Sequence, residues 1–228
     1  MLLKAEQLTK TYGSPGNNSS RIVLDHLGFE MNAGDTVAIT GPSGSGKTTL
    51  LNILGSLDRA DSGEVYLSER KYSDMTASDL ALFRSARIGF VFQLHHLLPQ
   101  CTLRENVLIP AMVVRDKEKR KLSAERADRL MKRLGVWEQR HQKPSELSGG
   151  ECQRTAVIRA LINSPEIIFA DEPTGALDEE NALGLAELLE EINREEKVSI
   201  VMVTHSPTIA ARMKTVYELR HGKLHLAK

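Results

Sequence analysis

A glycine-rich segment near the start of the chain limits the possible folds more than any other feature. Residues 41–48 read GPSGSGKT and match the pattern G-x-x-x-x-G-K-[ST]. A short apolar stretch at residues 36–40 precedes the segment and predicts a buried strand, whereas residues 48–57 predict an apolar helix. The sequence therefore predicts a loop that joins a strand to a helix and holds phosphate groups in an α/β domain.

The chemistry of this loop follows from its residue types. Glycines let the backbone curl around phosphate oxygens with its N–H groups pointing inward, and the following helix adds the positive end of its dipole. Lys47 can reach the β- and γ-phosphates, and the hydroxyl of Thr48 can bind Mg²⁺. A glycine-rich turn that binds nothing is the alternative, and the flanking strand and helix argue against it. The candidate phosphate-binding residues are Gly41, Pro42, Ser43, Gly44, Ser45, Gly46, Lys47, Thr48 and Thr49.

Two adjacent carboxylates follow a second buried strand pattern. The apolar residues 167–170 end in Asp171 and Glu172, and α/β proteins bind their ligands at the carboxyl ends of the strands. Asp171 is then placed to hold a metal ion, and Glu172 can orient or deprotonate an attacking water. The pair could instead cap the turn at residues 173–175. With a phosphate loop in the same chain, the catalytic interpretation is favoured.

Strand and helix patterns alternate along most of the chain. Further strands are expected at residues 2–8, 22–31, 65–67, 88–92, 198–203 and on both sides of Gly222, and helices at 78–86, 103–112, 124–134, 151–162 and 179–193. The alternation predicts an α/β fold with a mostly parallel sheet. Residues 94–162 carry only helical patterns. We expect one domain over residues 1–228, in which 1–93 and 163–228 form the core and 94–162 form an inserted helical lobe.

Composition excludes several other classes of protein. Lys plus Arg equals Asp plus Glu, 30 of each, and aromatic residues make up 4%, so no basic or base-stacking surface for nucleic acid is indicated. The N-terminus lacks the apolar core of a signal peptide. No stretch approaches the roughly 18 apolar residues of a membrane span, so any membrane role requires a partner. Cys101 and Cys152 lack metal-ligand spacing and are expected to be reduced cytosolic thiols.

A second helix start has the features of an anion site. Residues 147–151 read LSGGE and precede an apolar helical pattern, and Ser148 and Glu151 have the spacing of a capping box. The intervening glycines expose backbone N–H groups at the positive end of the helix, which favours a phosphate. An ordinary helix cap explains the same residues equally well, so the residue pattern alone leaves both interpretations open.

These three segments together resemble the nucleotide-binding domain of ABC transporters, and the resemblance covers essentially the whole chain. The LSGGE segment is highly specific to ABC ATPases, whereas many NTPases share the phosphate loop. The resemblance implies a RecA-like P-loop NTPase core, an antiparallel β portion near the N-terminus and the inserted helical lobe. It also implies a head-to-tail homodimer, in which each ATP lies between the phosphate loop of one copy and Ser148, Gly149, Gly150 and Glu151 of the other.

Further positions match the family's motifs in the same order along the chain. Tyr12 resembles the aromatic residue that stacks on adenine, and Gln93 resembles the glutamine that contacts Mg²⁺ and links the site to the membrane partner. Asp178 lies in a segment similar to the D-loop, and His205 resembles the switch histidine that contacts the γ-phosphate. Each has a simpler explanation by itself, such as a surface aromatic for Tyr12 or a helix cap for His205.

The resemblance implies ATP and Mg²⁺ as cofactors, with Glu172, His205, Lys47 and Gln93 in catalysis and Thr48, Gln93 and Asp171 at the metal.

Longer stretches narrow the resemblance to the LolD/MacB/FtsE-like group, and most closely to its LolD-type ATPases. These stretches are residues 92–99, 144–147 and 170–175, which read FQLHHLLP, PSEL and ADEPTG. Such ATPases act peripherally on the cytoplasmic face of the bacterial inner membrane. They serve a separate permease of the MacB/LolC/FtsX type in lipoprotein release or in peptide or antibiotic export. The resemblance implies the same here, with no nucleic acid partner and with an apolar docking groove near residues 93–101, where His95 and His96 would lie.

Two other functions stay open at this stage. One is an FtsE-like ATPase that regulates a membrane partner in cell division without transport, and the other is a soluble ABC ATPase acting on nucleic acid or the ribosome. Residues 117–133 are rich in Lys and Arg, but interleaved acidic residues favour a solvated helix face.

The chain also departs from the family at Cys152, where Gln or Arg is common, at Ala176, where Asn is frequent, and in its long loop at 13–20. We expect labelling of Cys152, beside LSGGE, to hinder pairing of two copies.

Overall fold

The computed structural model describes residues 1–13, 20–114 and 116–228, and it contains two β-sheets. One sheet has four strands in the order β2-β1-β4-β5, and the other has six in the order β10-β9-β3-β8-β7-β6. The predicted strands are confirmed, and the short β5 was missed. The strands are β1 (Leu3–Tyr12), β2 (Arg21–Met31), β3 (Thr36–Thr40), β4 (Ser62–Leu67), β5 (Arg70–Lys71), β6 (Ile88–Phe92), β7 (Ile167–Asp171), β8 (Ser199–Val203), β9 (Thr215–Arg220) and β10 (Lys223–Leu226).

The six-stranded sheet is parallel except at one edge. Strand β3 pairs in parallel with both β8 and β9, and β7 pairs in parallel with β6 and β8. Only the last strand, β10, is antiparallel to its neighbour. Parallel strands need crossover connections, which in α/β proteins are mostly helices. The mostly parallel sheet of the predicted α/β fold is thus confirmed.

The four-stranded sheet is antiparallel and lies early in the chain, as the family resemblance implies. Strand β1 pairs with β2 on one side and with β4 on the other. Along β1 the side chains of Leu3, Ala5 and Leu8 are buried, and a register shift between Ala5 and Leu8 restores the inward direction after an odd spacing. The sheet therefore presents an apolar face to the core.

Seven α-helices and three short 3-10 helices complete the described parts of the fold. The predicted helix at 48–57 ends early, at Leu54, because Gly55 closes it and packs against the ring of Phe90, which leaves no room for a side chain. The helices are α1 (Lys47–Leu54), α2 (Ala77–Arg87), α3 (Leu103–Leu108), α4 (Lys117–Arg133), α5 (Gly149–Leu161), α6 (Glu179–Glu196) and α7 (Pro207–Ala210).

The region between β6 and β7 contains only helical elements among its described residues. The helix predicted at 103–112 is instead α3, followed by a 3-10 turn at Ile109–Val113, because Pro110 lacks the N–H that an α-helix needs. The helix predicted at 124–134 starts earlier, at Lys117. The division of the chain into a core and a lobe at residues 94 and 162 stays a prediction.

Two apolar clusters lie on the opposite faces of the parallel sheet. In β7, Ile168 and Ala170 pack with the helices α3 to α6, while Ile167 and Phe169 pack with α1 and the antiparallel sheet. This alternation follows from the two-residue period of a strand, and burial on both faces explains why β7 is apolar throughout. The core therefore fixes the carboxyl ends of β3, β6, β7 and β8 along one edge.

Most of the loop predicted at residues 13–20, namely 14–19, lies outside the described residues. Within the described parts of the chain, no helix has both the length and the apolarity needed to cross a membrane.

Candidate active site

A cleft of about 720 Å³ opens at the carboxyl edge of the parallel sheet. It brings together predicted residues that are far apart in sequence. Those lining it are Tyr12, Ser43, Gly44, Gly46, Lys47, Thr48, Thr49, Gln93, Glu172 and His205. Gly41, Pro42 and Ser45 line a neighbouring depression at the phosphate loop. The predicted position of the site is consistent with the rule that α/β sheets bind ligands beyond their strand ends.

The phosphate loop adopts backbone angles that favour glycine. Gly46 has φ +103° and precedes the first residue of α1, and a Cβ atom there would lie 2.4 Å from Cγ1 of Val23. Gly41 has φ +143°, and its Cβ would lie 2.6 Å from the carbonyl oxygen of Leu219. Both glycines are thus required by conformation and by contact, and the N–H groups at the start of α1 remain open to an anion.

Lys47 is a buried cation inside this loop. Its side chain is only 6% exposed, and its Nζ donates hydrogen bonds of 3.0 Å to the carbonyl oxygens of Gly41 and Pro42. Burial lowers the pKa of Lys47, and the nearby charges of Glu172 and Asp171 oppose that shift. A bound anion would therefore compensate the charge of the buried ammonium, and a phosphate group is such an anion.

Thr48 and Asp171 meet beneath the cleft. The hydroxyl of Thr48 donates a 3.2 Å hydrogen bond to Oδ1 of Asp171. Burial raises the pKa of Asp171, while the Thr48 hydroxyl and the charges of Lys47 and His205 oppose this shift. A hydroxyl and a carboxylate are hard oxygen donors of the kind that Mg²⁺ prefers, and Mg²⁺ usually takes one or two carboxylates together with substrate phosphates. The residues present therefore fit this ion.

Glu172 has an unusual backbone conformation that aims its side chain at His205. Its φ is +47°, and its N–H donates a 3.0 Å hydrogen bond to the carbonyl of Val203. Oε2 accepts a 3.1 Å hydrogen bond from the backbone N–H of His205, and Oε1 lies 3.2 Å from the ring Nε2. Oε1 is buried and, among the described residues, no donor is aligned for a hydrogen bond to it. A left-handed acidic residue with a free buried oxygen is typical of a functional site.

Gln93 extends from the end of β6 over the turn that follows Glu172. A Cβ atom at Gly175 would lie 3.0 Å from Nε2 of Gln93, so the amide rests directly on this glycine. The backbone N–H of Gly175 donates to the carbonyl of Glu172 at 2.9 Å. The turn at residues 173–175 is therefore present. Capping this turn was the alternative role for Asp171 and Glu172, and the structure contains both the turn and the cleft.

Tyr12 stands at the open side of the cleft with its ring 47% exposed. Its hydroxyl donates to Oδ2 of Asp58 at 3.3 Å and lies 3.5 Å from the hydroxyl of Thr49. The ammonium of Lys10 lies 5.5 Å from the ring centroid. The ring is thus anchored at its hydroxyl end, and about half of the residue remains exposed.

The second helix start lies outside this cleft. Ser148 and Glu151 form the predicted capping box: Glu151 N–H donates to Ser148 Oγ at 3.3 Å, and Ser148 N–H donates to Glu151 Oε2 at 2.9 Å. Asp178 caps α6 by accepting from the N–H of Asn181 at 2.9 Å, and Asn181 also approaches Gly150 closely. Within one chain, neither of these caps lines the cleft.

Cys152 faces the interior, although it adjoins this helix start. Its side chain is buried, and its thiol lies 3.6 Å from the carbonyl oxygen of Pro144. Burial raises the pKa of Cys152, and the charge of Glu151 adds to this shift. Both effects slow alkylation. Cys152 is therefore a poor site for the labelling that we expected to hinder pairing of two copies.

Four residues that line the cleft were not among the predicted site residues: Arg21, Val23, Gly175 and Val203. Arg21 donates from Nη2 to the carbonyl of Gly44 at 2.8 Å, and Val23 packs against Gly46. Both lie on β2, which pairs with β1 in the other sheet. No local pattern marks them, because their proximity to the loop depends on how the two sheets pack.

The fold and the cleft define an ATPase with a phosphate-binding loop. A family model described as ABC transporter matches residues 24–175. The chain is 43% identical to "Lipoprotein-releasing system ATP-binding protein LolD" of Xanthomonas campestris, over 98% of this chain and 92% of that protein. The protein of the same name from Idiomarina loihiensis is 38% identical, over 98% and 96% of the two chains.

Solved structures give the same result. The post-hydrolysis dimer of the ATP-binding cassette MJ0796, bound to ADP and Pi, has a TM-score of 0.87 and 36% identity, covering 100% of this chain and 98% of that one. Another dimeric structure of MJ0796, described as a bacterial ABC transporter cassette, has a TM-score of 0.86 and 37% identity, covering 98% and 97%. The chain belongs to the ABC transporter family and is one of its LolD-like ATPases, which confirms the family and the activity that the sequence resemblance implies.

Proposed function

We propose that this chain is the ATPase of a bacterial inner-membrane complex that releases lipoproteins through a separate permease. The observation that carries the proposal is the convergence of Lys47, Thr48, Gln93, Glu172 and His205 on one cleft. The identity of 43% over nearly the full length of proteins named for a lipoprotein-releasing system supports the choice of process.

Nucleotide binding is assigned to the phosphate loop and to Tyr12. The backbone of residues 41–46, the ammonium of Lys47 and the start of α1 bind the phosphates, while Thr49 lies next to Lys47 and Thr48 at the same helix start. The exposed face of Tyr12 stacks on the adenine base. A buried positive charge and an exposed aromatic residue in one cleft fit the phosphates and the base of ATP.

The metal is assigned to three oxygen-bearing side chains. Thr48 and Asp171 already lie within hydrogen-bonding distance of each other, and Gln93 faces the same cleft. When bound, Mg²⁺ would neutralise the charge that develops on the β- and γ-phosphates. Burial around Asp171 strengthens the attraction of its carboxylate for a cation.

Hydrolysis is assigned to Glu172 and His205. The buried Oε1 of Glu172 is free to accept a proton or a hydrogen bond from water, which is the task of a general base or of a water-orienting group. The backbone N–H of His205 holds the other oxygen. The ring of His205 is then directed at the cleft, where it can donate to the terminal phosphate.

A second copy of the chain would complete the site. Ser148, Gly149, Gly150, Glu151 and Asp178 lie outside the cleft of their own chain, yet the capped start of α5 has the geometry of an anion site. We assign these residues to the ATP held by a partner copy in a head-to-tail dimer. The dimeric cassettes of MJ0796 support this arrangement.

We assign the docking site of the membrane partner to an apolar groove of about 440 Å³ between β6, α2 and α5. Its lining includes Leu57, Phe90 and Pro110, and the exposed side chains of Leu94 and Leu98 lie on the loop that follows β6. Exposed apolar surface of this kind is typical of protein interfaces. We propose that a permease of the MacB/LolC/FtsX type docks here, which holds the chain at the cytoplasmic face of the inner membrane.

The proposal can be tested by purifying the chain with its native membrane partner and reconstituting the complex in vesicles that contain a lipid-anchored lipoprotein. ATP-dependent release of the lipoprotein is expected, and Leu98→Glu should prevent co-purification while nucleotide binding remains. Leu226→Glu, at an exposed residue of β10, serves as the control. Partner-stimulated ATP hydrolysis without lipoprotein release would favour the FtsE-like alternative, and salt-sensitive binding to nucleic acid would favour the soluble alternative.

A further inference from the structure

Side chains of helix α5 hold the loop after β6 by its carbonyl oxygens. Arg159 donates from Nη1 to the carbonyl of His96 and from Nη2 to that of His95, both at 2.7 Å. Gln153, which is 2% exposed, donates from Nε2 to the carbonyl of Phe92 at 2.8 Å. Helix α5 therefore grips the chain on both sides of Gln93.

A buried amide on α3 holds the rest of this loop. Asn106 is fully buried, and its Oδ1 accepts from the N–H of Leu98 at 2.6 Å. Its Nδ2 lies 3.0–3.2 Å from the carbonyl oxygens of Leu98, Cys101 and Thr102. The loop between β6 and α3 is thus shaped by fixed side chains of the helical region.

Among these contacts with the loop, those of Arg159 would be weakened most by a conservative substitution. A planar guanidinium can bond two carbonyl oxygens at once, whereas a lysine ammonium acts as a point charge. Arg159 and His96 both line the apolar groove assigned above to the membrane partner. A displacement of the groove wall therefore acts directly on α5.

Helix α5 connects this groove to the second anion site. It has 13 residues, with Ser148 as its N-cap, so Arg159 and Ser148 lie about 16 Å apart along the axis at 1.5 Å per residue. Buried residues run along the helix, including Ala156, Val157 and Ile158, and a packed helix moves as a rigid element. Motion at Arg159 must therefore reach the helix start.

Resting on the proposed function, we propose that Arg159 is a positioning residue that couples the docking groove to the Ser148 helix start. By holding the carbonyls of His95 and His96, it makes the loop and α5 move as one body. The partner's position in the groove then sets whether the Ser148 helix start can close on the nucleotide of the second copy.

The test compares ATP hydrolysis by the isolated chain with that of the complex carrying the permease that co-purifies with it. In Arg159→Gln, stimulation by the permease is expected to fall by at least about fivefold. The kcat and KM of the isolated chain should stay within about twofold of wild type. Stimulation is expressed per permease that co-purifies, because Arg159 itself lines the groove. Arg159→Lys should restore part of the stimulation, because one carbonyl can still be bonded.

Arg126→Gln is the matched control. Arg126 donates to the carbonyl of Leu161 at 3.2 Å and pairs with Glu196, so it also bonds a main-chain carbonyl in the helical region but does not reach the loop after β6. It should keep full stimulation. If Arg159→Gln fails to fold, Gln153→Met carries the same expectation, since it removes the bond to Phe92.

Two outcomes overturn the inference in distinguishable ways. Full stimulation of the folded Arg159→Gln complex, or of Gln153→Met when Arg159→Gln does not fold, would overturn the inference alone. A wild-type complex that shows no stimulation by its membrane partner would overturn the proposed function and this inference with it.

Discussion

Glu172 and His205 meet at two points: Oε2 of Glu172 accepts a 3.1 Å hydrogen bond from the backbone N–H of His205, and Oε1 lies 3.2 Å from the ring Nε2. The first contact involves only the backbone of His205, so it persists whatever side chain stands there. In the second, two side chains that both face the cleft approach each other without the alignment of a hydrogen bond. Glu172 is thus fixed by the fold and remains free to act at Oε1.

Glu172→Gln is expected to bind ATP normally but to hydrolyse it about 10²–10⁴-fold more slowly, because an amide cannot accept the proton of the attacking water. Since bound ATP is then not consumed, the two copies should stay paired. Steady-state kinetics and size-exclusion chromatography with ATP measure both effects. Glu138→Gln, at an exposed residue, is the control, and normal turnover in Glu172→Gln would assign the base to another residue.

Gly46→Ala is expected to destabilise the protein and to abolish nucleotide binding. A left-handed alanine costs about 1–2 kcal/mol, and the new methyl would overlap Cγ1 of Val23 at 2.4 Å, which adds about 1–3 kcal/mol of overpacking. Gly34→Ala is the matched control, because Gly34 also has positive φ but has nothing within 4 Å of its Cβ position among the described residues.

The Gly34→Ala variant should therefore be destabilised only by the conformational cost, without the overpacking cost, and should keep its affinity for ATP. Thermal unfolding and nucleotide titration measure the two quantities. Equal unfolding temperatures for the two variants would show that Val23 does not restrict the phosphate loop.

Tyr12→Ala is expected to weaken ATP binding by about 5–150-fold, which corresponds to the 1–3 kcal/mol of a base–aromatic stack. The kcat should change little, because the side chain of Tyr12 contacts Lys10, Thr49 and Asp58 rather than Glu172 or His205. Tyr12→Phe should keep most of the affinity, since it loses only the hydroxyl contacts with Asp58 and Thr49. Tripolyphosphate, which has no base, should bind wild type and Tyr12→Ala equally, and a loss of its affinity would contradict a stacking role.

Glu151→Gln is expected to remove a pH-dependent part of the stability. Hydrogen bonds from the backbone and side chain of Ser148 lower the pKa of Glu151 from 4.5, so the charged cap stabilises the fold above that pH. This stabilisation is lost as pH falls through the lowered pKa. A charge at a helix N-terminus contributes about 0.3–1 kcal/mol, and the glutamine can keep the neutral hydrogen bond.

The difference in unfolding free energy between wild type and Glu151→Gln should therefore be largest at neutral pH and vanish in acid. Urea unfolding at a series of pH values measures it. Glu125→Gln, on the exposed side of α4, provides the comparison. A difference that does not change with pH would contradict the role of the Glu151 charge in the cap.

The sequence was most informative where the structural signal is local. The phosphate loop could be predicted because its glycines, Lys47 and the flanking strand and helix are consecutive. The capping box at Ser148 and Glu151 was also predicted, since a cap needs only four residues. Element boundaries were less accurate, as at Leu54 and Pro110, where packing and a single proline end an otherwise continuous apolar pattern.

The sequence by itself predicted which residues are candidates for phosphate binding and catalysis and which segments form strands and helices. Only the tertiary structure decided that Thr48 meets Asp171, 123 residues away, that Glu172 meets His205, and that Arg159 grips the loop beyond Phe92. The physical reason is that local patterns encode dihedral preferences and periodicity. Distances between remote segments depend on the order in which β3, β8, β7 and β6 pair, and no local pattern specifies that order.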